Sequence, residues 1–134
     1  MNYQYFLGEW RLERKFGGTS HASGKAEFTS DDKPQRLFYK ESLSITDMPV
    51  ITESVRAYFY DFKDNIITKR FTDESKFYSL ESNGNKAIGY HKCKNDEYHA
   101  EYEVFDDKFL LKYIVKGPRK DYVIENLYIR TSVA

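Results

Sequence analysis

Cysteine is all but missing. Cys93 stands alone among 134 residues, so no disulfide can form within the chain, and a disulfide-stapled scaffold is excluded. A reducing compartment suits such a chain, and the expected location is cytoplasmic. No apolar run approaches the roughly 18 residues that a membrane-crossing helix needs, and Met1 to Trp10 lacks the basic-then-apolar order of a secretory leader. No membrane partner is expected. Excess charge is missing too, because 21 Lys plus Arg face 21 Asp plus Glu. Without a basic field or a basic run there is no footprint for nucleic acid. Proline and glycine are sparse, at three and seven, and no repeat, low-complexity tract or linker breaks the chain. Residues 1–134 read as one domain, long enough to bury about two-thirds of its unfolded surface.

What is abundant is aromatic. Twelve Tyr and ten Phe raise the aromatic share to 17%, and such residues favour pleated, half-buried surfaces. Asn2 to Leu7 is long enough for one helical turn, with an extended lead-in as its alternative. Period-two alternation follows, the mark of strands with one buried face. Trp10, Leu12, Arg14 and Phe16 share a side, as do Leu37, Tyr39, Glu41, Leu43 and Ile45. Gly17-Gly18 reads as a turn and Met48-Pro49 as a loop. From Ile51 to Phe62 the row Arg56, Tyr58, Tyr60 and Phe62 opposes Val55, Ala57 and Phe59, and either could face inward. Asp64-Asn65, Asn83-Gly84-Asn85, Asn95-Asp96, Asp106-Asp107 and Gly117-Pro118 punctuate the rest as hairpin turns. About ten short strands without a crossover helix predict an all-β, antiparallel up-and-down barrel, since closure removes the unpaired edges of a long meander. A sandwich is the rival architecture.

Gly8-Glu9-Trp10 on the first strand, with Arg130 on the last, resembles the signature of calycins, the superfamily of lipocalins and fatty-acid-binding proteins. There the first-strand Trp closes one end of the barrel beneath an Arg from the final strand. A second resemblance spans nearly the whole chain. Gly8-x-Trp10-x-Leu12-x-Arg14, Tyr39-x-Glu41, Arg56-x-Tyr58-x-Tyr60, His91-x-Cys93-x-x-Asp96-x-Tyr98, Gly117-Pro118-Arg119-Lys120-Asp121-Tyr122 and Tyr128-x-Arg130 are similar to the uncharacterised family called domain of unknown function 6314. Tyr60 and Tyr113 depart from it, standing where many relatives carry Trp. The resemblance implies a calycin-like barrel and supplies no activity.

The chemistry-bearing residues are those that the alternation turns inward against expectation. Arg14, Glu41, Arg56, Tyr58, His91, Cys93, Asp96 and Tyr98 share inner faces with apolar neighbours. Buried charges cost several kcal/mol each, roughly, unless they are paired, so such a set implies a mutual network or a charged guest. Two inward arginines against one glutamate favour an anionic ligand gripped by guanidinium. The predicted ligand shell is Arg14, Tyr39, Glu41, Arg56, Tyr58, His91, Cys93, Tyr98 and Tyr113, around a small anionic or aromatic molecule. In the bland alternative, Arg14 or Arg56 simply neutralises Glu41.

His91 and Cys93 fall short of the three or four ligands of a zinc site, and neither a metal nor another cofactor is expected. Haem held by His91 is an alternative, as is a lyase or isomerase in which Glu41 or Tyr58 carries a proton and Arg56 anchors a carboxylate. The latter supposes a shielded Glu41 with a raised pKa. An interaction module with a side-chain-filled interior is a further alternative. Arg119 and Lys120 read as solvated turn charges or as guards of the barrel mouth. A monomer or homodimer is expected.

Overall fold

The computed structural model describes residues 1–17, 20–45 and 52–132. Gly18, Met48, Pro49 and Ile51 of the sequence reading lie outside the described residues. After one helical turn, α1 (Tyr3–Phe6), the chain forms β1 (Gly8–Phe16), β2 (Ser20–Ser30), β3 (Arg36–Ile45), β4 (Thr52–Lys63) and β5 (Ile66–Arg70). β6 (Lys76–Asn83), β7 (Lys86–Cys93), β8 (Asp96–Val104), β9 (Lys108–Gly117) and β10 (Lys120–Ser132) complete it. Each strand pairs antiparallel with its neighbour in sequence, and β1 pairs with β10, so the meander closes on itself. The expected up-and-down barrel forms, and the sandwich does not.

Alternation decides which side chains meet inside. On β1, Trp10, Leu12 and Arg14 are buried while Glu9, Arg11 and Lys15 are exposed. On β3, Tyr39, Glu41 and Leu43 are buried. The face of β4 that the sequence left open resolves in favour of Tyr60 and Phe62, both buried, and this puts Arg56 and Tyr58 on the inner side. One turn shifts from its expected place. The chain reverses at Lys94-Asn95, with Lys94 at φ 56, and Asp96 already pairs with Cys93 in β8.

One end of the barrel is plugged. The side chain of Asn2 accepts a hydrogen bond from the Tyr5 amide, capping α1 at 3.2 Å. The turn delivers Phe6 into the barrel mouth, its ring centroid 5.4, 5.8 and 5.2 Å from those of Phe28, Phe62 and Phe109. Trp10 donates its indole N–H to the Phe6 carbonyl at 2.9 Å. The Arg130 guanidinium lies 4.2 Å from the Trp10 ring centroid and donates to the carbonyls of Leu7 and Tyr5. The expected Trp–Arg pair is therefore present, worth about 0.5–2 kcal/mol. Gly8 precedes it at φ 120, a backbone conformation that side-chain-bearing residues avoid, which is why glycine opens this strand.

Candidate functional site

Above the plug, tyrosines fill the barrel and bond to one another. Tyr39 donates to Glu41 Oε1 at 2.7 Å, and its hydroxyl lies 2.7 Å from that of Tyr128. A longer ladder runs from Lys69 Nζ to the Tyr113 hydroxyl at 3.0 Å, on to Tyr78 and Tyr102 at 2.7 Å each, and to Tyr60 at 3.0 Å. Among the described residues no buried side-chain nitrogen or oxygen lacks a partner.

The opposite half of the barrel is hollow. A cavity of about 420 Å³ opens there, within the range of small-molecule sites. Arg14 reaches it from β1, Glu41 from β3, and Arg56 and Tyr58 from β4. His91 and Cys93 line it from β7, Tyr98 from β8 and Tyr113 from β9. The alternation thus brings eight of the nine expected residues to one space. Tyr39 is the exception. It is fully buried under the floor, where it supports Glu41 instead of facing a guest. Asp96 also turns away, to an ion pair with Lys120 at 3.0 Å. Lys120 donates to Tyr98 as well, at 3.2 Å, so this lysine, the first residue of β10 and not part of the turn, braces the rim and is not simply solvated.

A larger hollow, about 700 Å³, lies against the outer wall of β1, β2 and β3. Much of its rim is exposed charge of alternating sign, including Glu9, Arg11, Lys25, Glu27 and Lys40. It gathers no convergent set of buried polar groups, so the interior cavity is the better candidate.

Arg14 and Glu41 settle each other. The guanidinium donates to both carboxylate oxygens at 2.9 and 2.8 Å, and its Nε donates to Asn126. Burial alone would raise the pKa of Glu41, but the Arg14 contacts and the Tyr39 hydroxyl outweigh it and hold the carboxyl below the usual range. The raised pKa supposed for a proton-carrying Glu41 is therefore reversed. The Tyr58 pKa moves up, because burial disfavours the phenolate more than Arg56 favours it. His91 sits at the rim with ring centroids 5.5 Å from Phe77 and 5.9 Å from Tyr98.

Sequence reasoning missed the apolar wall of Phe71 and Phe77 and, among the charged lining residues, Lys69. Lys69 is 3% exposed and lines the cavity floor from β5. Its signal was parity with Ile67 on a strand of only five residues, and adjacent Ile66 and Ile67 left that parity undecided. Pairing of Lys69 with Tyr60 of β4 fixes it inward. Burial foremost, then the charges of Arg14 and Arg56, lower its pKa to about 7 against the pull of Glu41.

Residues 6–130 match the protein family described as "Family of unknown function (DUF6314)". The chain belongs to that family. The resemblance read from the motif strings is thereby established for this DUF6314 chain. No curated protein matches it. Among solved structures it is similar to a de novo designed fluorescence-activating β-barrel, at 9% identity and TM-score 0.55, over 96% of this chain and 95% of that one. It is also similar to the protein EF1p2_mFAP2b bound to DFHBI, at 11% identity and TM-score 0.57, again over 96% and 95%. The S-type phycobiliprotein lyase CPES from Guillardia theta matches at 10% identity and TM-score 0.63, over 96% and 89%. At these identities the likeness is one of fold.

Proposed function

We propose that this DUF6314 protein is a small-molecule-binding barrel whose ligand is anionic, with an aromatic body, and sits in the open half. One observation carries the reading: the cavity's basic side chains outnumber its carboxylates after internal pairing is complete. Glu41 is already taken by Arg14 and Tyr39. Among the described residues no ion pair involves Arg56 or Lys69. Phe71, Phe77 and Tyr58 supply flat apolar wall beside them, and a guanidinium at the mouth suits a carboxylate. The similar barrels lend support by analogy, one being bound to DFHBI and another a phycobiliprotein lyase. The Trp10–Arg130 closure and the up-and-down order support a place among calycins.

The test compares 4-methylbenzoate with neutral 4-methylbenzamide by isothermal calorimetry, after native mass spectrometry of freshly purified protein has looked for a resident guest. The carboxylate should bind about tenfold or more tighter, and Arg56→Gln should erase the preference. Equal binding of the two, or none of either, refutes the reading. The alternatives fare less well. A proton-carrying Glu41 conflicts with its lowered pKa and its bonds to Arg14 and Tyr39, and a haem ligand would have to be His91, which stands at the rim in ring contacts. A module filled with side chains has no place for the cavity.

A further inference from the structure

Lys69 is the buried titratable group that simple anion binding leaves without a chemical role. Its Nζ lies 4.2 Å from the Tyr58 ring centroid and within 6 Å of five more, those of Tyr39, Tyr60, Phe77, Tyr78 and Tyr113. Among the described residues its one hydrogen-bond partner is the Tyr113 hydroxyl, at 3.0 Å. The charged groups that act on it are Glu41 from β3, Arg14 from β1 and Arg56 from β4. Among the described residues Glu41 makes no ion pair with it, and the Glu41 carboxylate is bonded to Arg14 and Tyr39 instead. The amine therefore stands at the floor of an open cavity, in a cage of ring faces, with two arginines and, among the described residues, no bonded acid. Burial and those arginines bring its pKa to about 7, so at neutrality a large fraction carries the free lone pair that nucleophilic attack requires.

We propose that Lys69 captures a small aldehyde or ketone bearing a carboxylate as a covalent imine, with Arg56 holding the carboxylate. This deepens the binding reading above and rests on it. The neutral Nζ adds to the carbonyl carbon, forming a C–N bond as the π pair moves to oxygen. Nitrogen's surplus proton passes to that oxygen, with the Tyr113 hydroxyl the nearest group able to relay it, and gives a carbinolamine. A second protonation of the oxygen expels it as water while the nitrogen lone pair closes C=N. Loss of the remaining N–H proton leaves the imine. Amine plus carbonyl gives imine plus one water, and nothing is oxidised or reduced. While protonated, the C=N group is a cation, which the surrounding ring faces stabilise.

The test uses 4-carboxybenzaldehyde, whose carboxylate and carbonyl lie at opposite ends of one ring, with sodium cyanoborohydride to trap the imine near pH 7. Intact mass and peptide mapping read the product. The expected result is an adduct on Lys69 formed about tenfold or more faster than on any surface lysine, since those are almost wholly protonated at this pH. 4-Methylbenzoate should compete, and Lys69→Arg should lose this fast adduct. The wild-type comparison among lysines stands even if a variant folds poorly. If 4-methylbenzoate binds but trapping spreads over surface lysines alone, imine chemistry is overturned and the binding reading survives. If neither compound binds or labels, both fall.

Discussion

At the plugged end Phe6, Trp10, Phe28, Phe62 and Phe109 meet ring to ring, and every one of them is buried. At the open end Phe16, Tyr58, Phe71, Phe77 and Tyr98 line empty space beside Arg56 and Lys69. The same residue class serves two purposes, separated by a layer of bonded tyrosines. The difference lies in what the rings accompany. Where they pack against one another, the tyrosine layer and the Trp10–Arg130 pair, they make a filled base. Where they flank basic groups that have no bonded acid among the described residues, they make a wall that a guest can complete. Stability is thus expected to reside below the tyrosine layer and recognition above it.

Phe109→Ala attacks the base hardest. Its ring lies 4.1 Å from Tyr128 and 4.8 Å from Trp10, centroid to centroid, and truncation should cost about 3–5 kcal/mol in urea unfolding. Affinity for 4-methylbenzoate in the folded fraction should hold, and a large loss would dissolve the division between the two ends. Glu41→Gln should cost about 3 kcal/mol, because it strands a buried guanidinium that the amide only partly satisfies.

Lys69 supplies a pH test. Folding lowers its pKa to about 7 from the ordinary 10.5, so between those values the unfolded chain binds more protons and stability rises with pH. The cost of burying the charge is full below pH 7. Wild type should therefore gain about 2–3 kcal/mol on Lys69→Met between about pH 7.5 and about pH 9.5, at ~1.4 kcal/mol per pH unit. A flat difference would mean that the amine is not desolvated as described. Arg130→Met should cost about 1–2 kcal/mol, from the indole contact and two carbonyl hydrogen bonds, without touching affinity. Arg56→Gln inverts that pattern. Its stability change should stay within about 0.5 kcal/mol, while its carboxylate preference disappears in calorimetry.

The sequence made the barrel legible because long strands repeat their period. Nine or more residues in β1 and β3 leave no doubt which side Arg14 and Glu41 take. The Trp10–Arg130 closure was readable because both residues lie near chain ends that a closed meander must bring together. Shorter elements spoke less clearly. β5 has five residues with polar Thr68 and Arg70 around Lys69, so only its register with β4 reveals the buried amine. Tyr39 was rightly placed inside, yet its depth along the axis decides whether it touches a guest, and alternation carries no information about depth. The partners of Glu41 likewise depend on contacts across the barrel, and these fixed its ionisation in the opposite sense to the one supposed.

The hydroxyl ladder ending at Lys69 has a polarity. Each phenol has a single hydrogen to give, so when the lysine is an ammonium and donates to Tyr113, the hydrogens can run in one sense through Tyr78 and Tyr102 towards Tyr60. A neutral amine can accept instead, and the same four oxygens can then reverse their order together. News of a proton, or of a guest, at the cavity floor can thus travel through the molecule by rotating O–H bonds alone, with the backbone standing still, and tyrosine C–O stretching bands in the infrared would register the reversal.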